Sequence, residues 1–132
     1  MGNATTPGPT SLVIHEGGRV ENLDVAMADP VGVIADRIGY LPYLLDRVFL
    51  DNDGVILWVP GNGAYLGARY NRAASGMVSI LFGYFAPLYG PVVVTGSIDD
   101  DPESEDEVAV DNLPGAAAER YRSMVERFAS FG

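Results

Sequence analysis

A continuously apolar run, Val55–Val59, lies near the middle of this chain and directly follows an Asp53-Gly54 dipeptide. Five apolar residues without polar alternation predict a strand buried in a sheet. Asp-Gly is a strong turn signal, and the preceding segment Tyr43–Leu50 is rich in leucine, valine and aromatic residues. The two segments on either side of the turn therefore predict a β-hairpin.

Three further segments have the composition of strands. Ser11–His15 and Arg19–Asp24 flank Gly17-Gly18, which predicts a second hairpin with a two-residue turn. Pro91–Gly96 is rich in valine and predicts a fifth strand.

Helical periodicity predicts three helices, over residues 30–38, 72–82 and about 116–129. Asp29 is placed to cap the first and Asn71 the second, because short polar side chains accept hydrogen bonds from the first free N–H groups of a helix. The positions predicted to face the core are Val31, Ile34, Ala35 and Ile38 in the first helix, Ala73, Met77, Ile80 and Leu81 in the second, and Tyr121, Met124, Val125 and Phe128 in the third.

Together these elements predict one α+β domain, with a largely antiparallel sheet of about five strands and two or three helices packed mainly on one face. A length of 132 residues with 48% hydrophobic residues suffices for a single core. We predict a flexible tail over residues 1–10, a core over 11–97 and an acidic loop over 98–113. Residues 114–132 should form a helix that packs either on the core or on a partner subunit.

The formal net charge of −10 is unevenly distributed. Residues 1–97 carry eight acids and five arginines, whereas Ile98–Asn112 carries eight acids and no basic residue. Such an acidic block disfavours direct binding to a nucleic-acid backbone. The chain shows neither a secretory signal nor an apolar stretch long enough for a bilayer, and it contains no cysteine. We therefore expect an intracellular protein without membrane association.

The residues that usually drive catalysis are scarce. Cysteine is absent, His15 is the one histidine, and no G-x-S-x-G motif occurs. We expect His15, at a strand end, to be structural. The Asp51–Gly54 segment resembles the start of a calcium loop, but Val55, Ile56 and Asn62 occupy positions where that loop needs an oxygen ligand, glycine and glutamate. We predict no catalytic residue, no metal and no cofactor.

The glycine-rich segment from Pro60 to Arg72 is the best candidate ligand site. Its spacing departs from a dinucleotide fingerprint, because Leu66 stands where the third glycine belongs. Even so, glycines expose backbone N–H groups, a helix N-terminus attracts anions, arginines bind phosphate or carboxylate, and tyrosines can stack on a base. The predicted ligand-binding residues are Gly61, Asn62, Gly63, Tyr65, Arg69, Tyr70, Asn71 and Arg72. The alternative is a hairpin loop followed by a capped helix and surface arginines.

The aromatic residues Phe82, Tyr84, Phe85 and Tyr89 form a second notable group. Such residues most often belong to a core or an oligomer contact, and the alternative is a wall that stacks against a ligand.

Asn71-Arg72-Ala73-Ala74, followed by the strand sequence Gly-Pro-Val-Val-Val-Thr-Gly over residues 90–96, resembles a family of small phage and plasmid proteins known only as a domain of unknown function. The likeness covers about residues 11–97. It implies a mobile-element context with an accessory role, in the cytoplasm of a host bacterium, and no activity comes with it.

These features favour a non-enzymatic binding protein of phage or mobile-element origin, in particular an anti-defence protein that sequesters a small anionic nucleotide signal. The alternative is an acidic protein–protein inhibitor or DNA mimic that uses Asp99–Asp111 against a host protein, such as a defence component. An enzyme that uses carboxylates alone ranks last, because no paired acids stand out in the folded part. A homo-oligomer is compatible with both leading hypotheses.

Overall fold

The structure is a computed structural model that describes residues 8–41, 44–50, 54–61, 67–99 and 109–130. Its elements in chain order are β1 (Ser11–Ile14), β2 (Val20–Leu23), α1 (Pro30–Ile38), β3 (Leu45–Leu50), β4 (Val55–Pro60), α2 (Arg72–Phe82), β5 (Val92–Thr95), β6 (Ile98–Asp99), β7 (Ala109–Val110) and α3 (Gly115–Ser130).

Five of these strands form one antiparallel sheet in the order β2-β1-β5-β4-β3. Each predicted hairpin forms one side of the sheet, and β5 lies between them. Val93 pairs with Val13 of β1 on one side and with Trp58 of β4 on the other. The predicted α+β class with a largely antiparallel sheet of about five strands is therefore confirmed.

Apolar residues cover both faces of this sheet because β1, β4 and β5 have hydrophobic side chains at consecutive positions. On one face, Leu12, Leu57 and Val94 pack with α2 and α3. On the other face, Val13, Trp58, Val93 and their neighbours pack with α1. Two of the three helices thus share a face, and α1 lies on the opposite face.

The caps explain why the bounds of α1 and α2 match the prediction. Asp29 accepts a hydrogen bond from the N–H of Gly32 at 3.1 Å, and Pro30 occupies the first turn of α1. Each of the two helices ends at a glycine with positive φ, Gly39 at 86° and Gly83 at 78°. A left-handed residue at this position satisfies the last carbonyl groups of a helix, and glycine adopts it without strain.

The turn between β1 and β2 differs from the prediction. The N–H of His15 donates to the carbonyl of Arg19 at 2.8 Å, and the N–H of Gly18 donates to the carbonyl of His15 at 2.9 Å. The loop therefore has three residues, 16–18, rather than two, and Gly18 has a φ of 90°. A three-residue loop of this kind, a turn followed by a bulge, is an alternative to a two-residue hairpin loop. Glycine suits the last position of either loop.

The predicted inner face of α2 is partly wrong. Ala73 and Met77 are buried as predicted, but Ala74 and Val78 complete the buried face. Ile80 and Leu81 are exposed instead. Helical spacing shows which positions share a side, and it does not show which flank of that side the neighbouring elements cover.

α3 packs on the core of its own chain. Tyr121 and Val125 are fully buried, and Met124 and Phe128 are partly buried against the same cluster. The helix contacts α2 along its length and also β1. Of the two placements considered for this segment, packing on the core is the one observed.

The acidic segment is anchored at both of its ends. β6 and β7 pair with each other, and residues 100–108 between them lie outside the described part of the chain. The N–H of Gly96 donates to the backbone carbonyl of Asp111 at 2.8 Å. Asn112 accepts hydrogen bonds from Ser11 Oγ and the N–H of Val25, both at 3.0 Å. Of the predicted tail, residues 1–7 also lie outside the described part.

Candidate functional site

Gly61 has a structural role at the end of β4. Its N–H donates to the carbonyl of Leu44 at 2.8 Å, so it continues the pairing of β3 with β4. A Cβ at Gly61 would lie 2.9 Å from the oxygen of Leu44 and 3.0 Å from a carboxylate oxygen of Asp46. Glycine is therefore needed for close packing, and its N–H is not available to an anion in this conformation. The Asp46 carboxylate would also repel an anion there.

Asn71 is fully buried and bonded to the protein itself. Its Oδ1 accepts from the N–H of Ala74 at 3.0 Å, which caps α2. Its Nδ2 donates to the carbonyls of Ile14 and Gly90, at 3.0 and 2.9 Å. Asn71 thus ties the start of α2 to β1 and to the segment before β5, and any contribution to ligand binding comes through this positioning.

Three of the predicted ligand-binding residues, Asn62, Gly63 and Tyr65, lie outside the described residues. The segment that follows them is fixed by a bridge between Tyr70 and Tyr89. Next to this bridge, the N–H of Gly90 donates to the carbonyl of Arg69 at 2.7 Å. The two tyrosine rings meet edge to face with centroids 5.8 Å apart, which holds Tyr70 in place while leaving it partly exposed.

Tyr70 and Arg72 line an open groove of about 420 Å³ between α2 and α3. Its described lining consists of Tyr70, Arg72, Gly76, Ser79, Ile80, Phe85 and Phe128. Most of this lining is apolar or aromatic, with Arg72 and Ser79 as polar members. Two residues predicted as ligand contacts are therefore brought together with Phe85 from the aromatic stretch. Arg69 is exposed and is not part of the described lining.

The floor of this groove depends on a close contact between α2 and α3. A Cβ placed on Gly76 would lie 2.6 Å from the ring of Phe128, well inside van der Waals contact. The absence of a side chain at Gly76 lets the Phe128 ring lie against α2. Ser79 donates to the carbonyl of Ser75 at 2.7 Å and accepts from the N–H of Ala86 at 3.1 Å, which holds the segment leading to Phe85.

A second cavity of about 370 Å³ adjoins the groove and shares Ile80 and Phe128 with it. Met124 and Arg127 of α3 complete its described lining. Arg72 and Arg127 both interact with other groups of the protein. Among the described residues, the charged side chains that line the two cavities are these two arginines, so the linings contain no described carboxylate.

Sequence reasoning did not identify Gly76, Ser79 or Arg127 as members of a site, and it placed Ile80 and Phe128 in the core. The three α2 positions Gly76, Ser79 and Ile80 follow helical spacing, which is a local signal that they share a side. The sequence contains no comparable signal that Phe128 would meet them.

His15 belongs to a charged cluster on the β1–β2 hairpin. The carboxylate of Glu21 contacts Nε2 of His15. It also forms ion pairs with Arg19 at 3.2 Å and with Arg37 of α1 at 3.1 Å. The hydrogen bond with His15, followed by the charge of Arg19, lowers the pKa of Glu21 below its usual 4.5. This cluster joins the hairpin to α1, as expected for a structural histidine.

The pKa of Asp24 is also lowered, because its carboxylate accepts hydrogen bonds from the Asn112 amide and from the N–H of Ala26. Both acids therefore serve as hydrogen-bond acceptors on the surface. Among the described residues, no group of three or more histidine, aspartate or glutamate side chains is arranged to hold a metal ion.

Comparisons of the chain with protein-family models, with curated proteins and with solved structures give no match in any of the three. The resemblance to a phage and plasmid family stays a prediction. No helix in the described part of the chain combines the length and apolar character needed to cross a membrane.

Proposed function

We propose that this protein is a non-enzymatic binding protein whose ligand site is the groove between α2 and α3. The proposed ligand is a small planar molecule with an anionic group, and a nucleotide is the class tested first. The observation that carries this proposal is the shared groove of Tyr70, Arg72, Phe85 and Phe128.

The chemistry of the groove suits such a ligand. Aromatic side chains offer flat apolar surfaces for a base, and a guanidinium group binds phosphate or carboxylate through paired hydrogen bonds. Arg72 lies in the first turn of α2, where the helix dipole adds positive potential. A volume of about 420 Å³ lies in the range of small-molecule sites.

The site proposed here differs in position from the one predicted from sequence. The N–H of Gly61 donates to the carbonyl of Leu44, and Asn71 is buried. Tyr70 and Arg72 keep their predicted roles in stacking and charge neutralisation. Together with the family resemblance, this ligand class supports a role in sequestering a nucleotide signal of host defence, in the bacterial cytoplasm, for the benefit of a phage or mobile element.

The test is isothermal titration calorimetry of the full chain with AMP, GMP, cyclic di-AMP and cyclic di-GMP. Arg72→Ala should weaken binding at least about tenfold, which corresponds to the loss of one charge-assisted hydrogen bond. Arg47→Ala is the matched control, because Arg47 is an exposed arginine of β3 that lies over Trp58 of β4 and is outside the described lining of the groove.

Arg69→Ala separates the groove from the loop site predicted from sequence. If the ligand binds in the groove, Arg69→Ala should have only a small effect on affinity. If it binds on the Gly61–Arg72 loop, Arg69→Ala and Arg72→Ala should weaken binding equally. Failure of all four nucleotides to bind the wild-type protein would reject a nucleotide as the ligand.

The acidic segment supports a second candidate function, as an inhibitor that presents carboxylates to a basic protein. Pairing of β6 with β7, together with the hydrogen bonds of Asn112, fixes both ends of this segment beside α1. Replacing residues 100–108 by a glycine-serine linker should abolish a salt-sensitive interaction with a basic host protein and leave nucleotide binding unchanged. Loss of nucleotide binding in this variant would link the segment to the groove instead.

A further inference from the structure

Exposed large hydrophobic side chains cluster on the α2–α3 side of the molecule. Among the eight in the described part of the chain, four follow one another within six residues at the end of α2: Ile80, Leu81, Tyr84 and Phe85, exposed by 62, 37, 64 and 71%. A fifth, Tyr70, lines the groove beside them. We call these five residues the apolar patch. Single exposed hydrophobic residues are ordinary, but a contiguous group of this kind marks an interaction surface.

The size of the apolar patch matches one side of a protein dimer. Aromatic side chains offer about 150–250 Å² each, so the exposed fractions of the five residues amount to roughly 500 Å² of apolar surface. The core of a homodimer interface is about 65% apolar, so an interface with this much apolar surface buries about 800 Å² per partner in total. That is the area that a standard stable interface buries on each side.

Within the part of the chain that the structure describes, the groove is incomplete as a small-molecule site. Its walls come from α2, α3 and the segments carrying Tyr70 and Phe85, and none of the described residues covers the opposite side. Sites for small molecules generally bury 70–90% of the ligand surface, which an open groove does not achieve. Tyr70, Ile80 and Phe85 belong to both the groove and the apolar patch, so a partner that covers the patch also covers the groove.

The distribution of charge favours a second copy of this chain as that partner. Eight acids lie in Ile98–Asn112, and Ile98 and Val110, which bound this segment, pack on the α1 side of the sheet. In two copies that meet through their α2–α3 sides, the described ends of these acidic segments therefore lie on the sides that face away from the partner. α3 carries both Glu126 and Arg127 on exposed positions, so this helix offers both signs of charge to a two-fold partner.

We propose that two copies of this chain pair through the apolar patch and that each covers the ligand groove of the other. The partner's Tyr84 then contributes to the enclosure of the groove, although Tyr84 is not in the described lining of the groove in its own chain. The covering role rests on the proposed function, and the pairing itself does not.

The experiment uses the full chain in sedimentation equilibrium, with Tyr84→Glu as the test variant. Tyr84 is exposed and stacks only on the neighbouring Phe82 among the described ring pairs, so its replacement should leave the fold intact, as checked by circular dichroism. Phe49→Glu on β3 is the matched control, because Phe49 is also an exposed aromatic residue and the variant adds the same charge.

The wild-type protein and Phe49→Glu should sediment at twice the 14.1 kDa of one chain. Tyr84→Glu should weaken dimerisation at least about 30-fold, as expected for loss of a central aromatic contact. A monomeric wild-type protein would overturn the proposal, and so would a Tyr84→Glu variant that still dimerises like the control.

The same four nucleotides used for the groove distinguish the two proposals. Tyr84→Glu should bind them roughly tenfold more weakly than Phe49→Glu, because its groove lacks a cover. An uncharged Tyr84→Ser variant should show the same loss, which excludes repulsion between the nucleotide and the new carboxylate as the cause. Equal binding by a monomeric Tyr84→Glu would overturn the covering role and leave the groove function standing. A wild-type dimer that binds none of them would reject the proposed function while supporting the pairing.

Discussion

Replacement of Asn71 tests the idea that one buried side chain fixes the position of α2. Asn71 is fully buried and makes three hydrogen bonds, one as a cap to Ala74 and two as a donor to the carbonyls of Ile14 and Gly90. Asn71→Ala removes all three. Asn71→Asp keeps an acceptor for the cap but removes the donor, and it places a carboxylate beside two carbonyl oxygens.

The magnitude follows from these contacts. Loss of an N-cap costs about 1 kcal/mol, and each net hydrogen bond to a buried carbonyl contributes about another 1 kcal/mol. Asn71→Ala should therefore lower the free energy of unfolding by about 3 kcal/mol. Asn71→Asp should lower it by at least as much at neutral pH, because a buried carboxylate that faces two carbonyl oxygens costs more than the absence of a polar side chain.

The assay is urea denaturation followed by circular dichroism, with Asp29→Ala as the control. Asp29 also caps a helix, but it is exposed and its described hydrogen bond is the cap itself. Asp29→Ala should therefore cost only about 1 kcal/mol. If Asn71→Ala costs no more than Asp29→Ala, or if Asn71→Asp is as stable as the wild-type protein, the two bonds to the carbonyls do not contribute as argued.

Two other predictions concern the helix contact and the surface acids. Gly76→Ala should destabilise the protein by about 1 kcal/mol, because overlap with the Phe128 ring outweighs the gain in helix propensity. In a Phe128→Ala background the same change should stabilise it by up to about 1 kcal/mol, and equal effects in both backgrounds would contradict the steric explanation. Because the pKa of Glu21 is lowered on folding, its contribution to stability is present above about pH 4.5 and is lost as the pH falls through the lowered value. Glu21→Gln should therefore make the free energy of unfolding, measured by urea titration, fall less steeply between pH 5 and pH 3. Part of the fall should remain, because the pKa of Asp24 is lowered as well. An unchanged fall would show that Glu21 has no such role.

The order and bounds of the elements were largely predictable because they depend on local signals. The Asp29 and Asn71 caps, with glycines after the last turns, give α1 and α2 the bounds predicted from sequence. The valine run of β5 and the apolar run of β4 likewise give strands at the predicted places. Caps and turns act over a few residues, so their effects can be read from a short stretch of chain.

Local pattern was a weaker guide to the candidate site. Glycine at position 61 suggested a backbone N–H that could bind an anion. In the structure this N–H donates to the carbonyl of Leu44, and the lack of a side chain at Gly61 allows close packing against Leu44 and Asp46. Asn71 suggested a ligand contact and proved to be buried. Tyr70 and Arg72 were identified by residue type, and the structure brings them together with Phe85 and Phe128.

The sequence by itself determined the α+β class, the antiparallel hairpins and the helix bounds, since each follows from periodicity, turn chemistry or capping among neighbouring residues. Only the tertiary structure decided that β5 lies between the two hairpins, that α1 covers one face while α2 and α3 cover the other, and that Phe128 meets Gly76 to form a groove. These features join residues that are distant in the chain. They follow from how whole faces of the sheet and helices exclude water together, which no short stretch of sequence specifies.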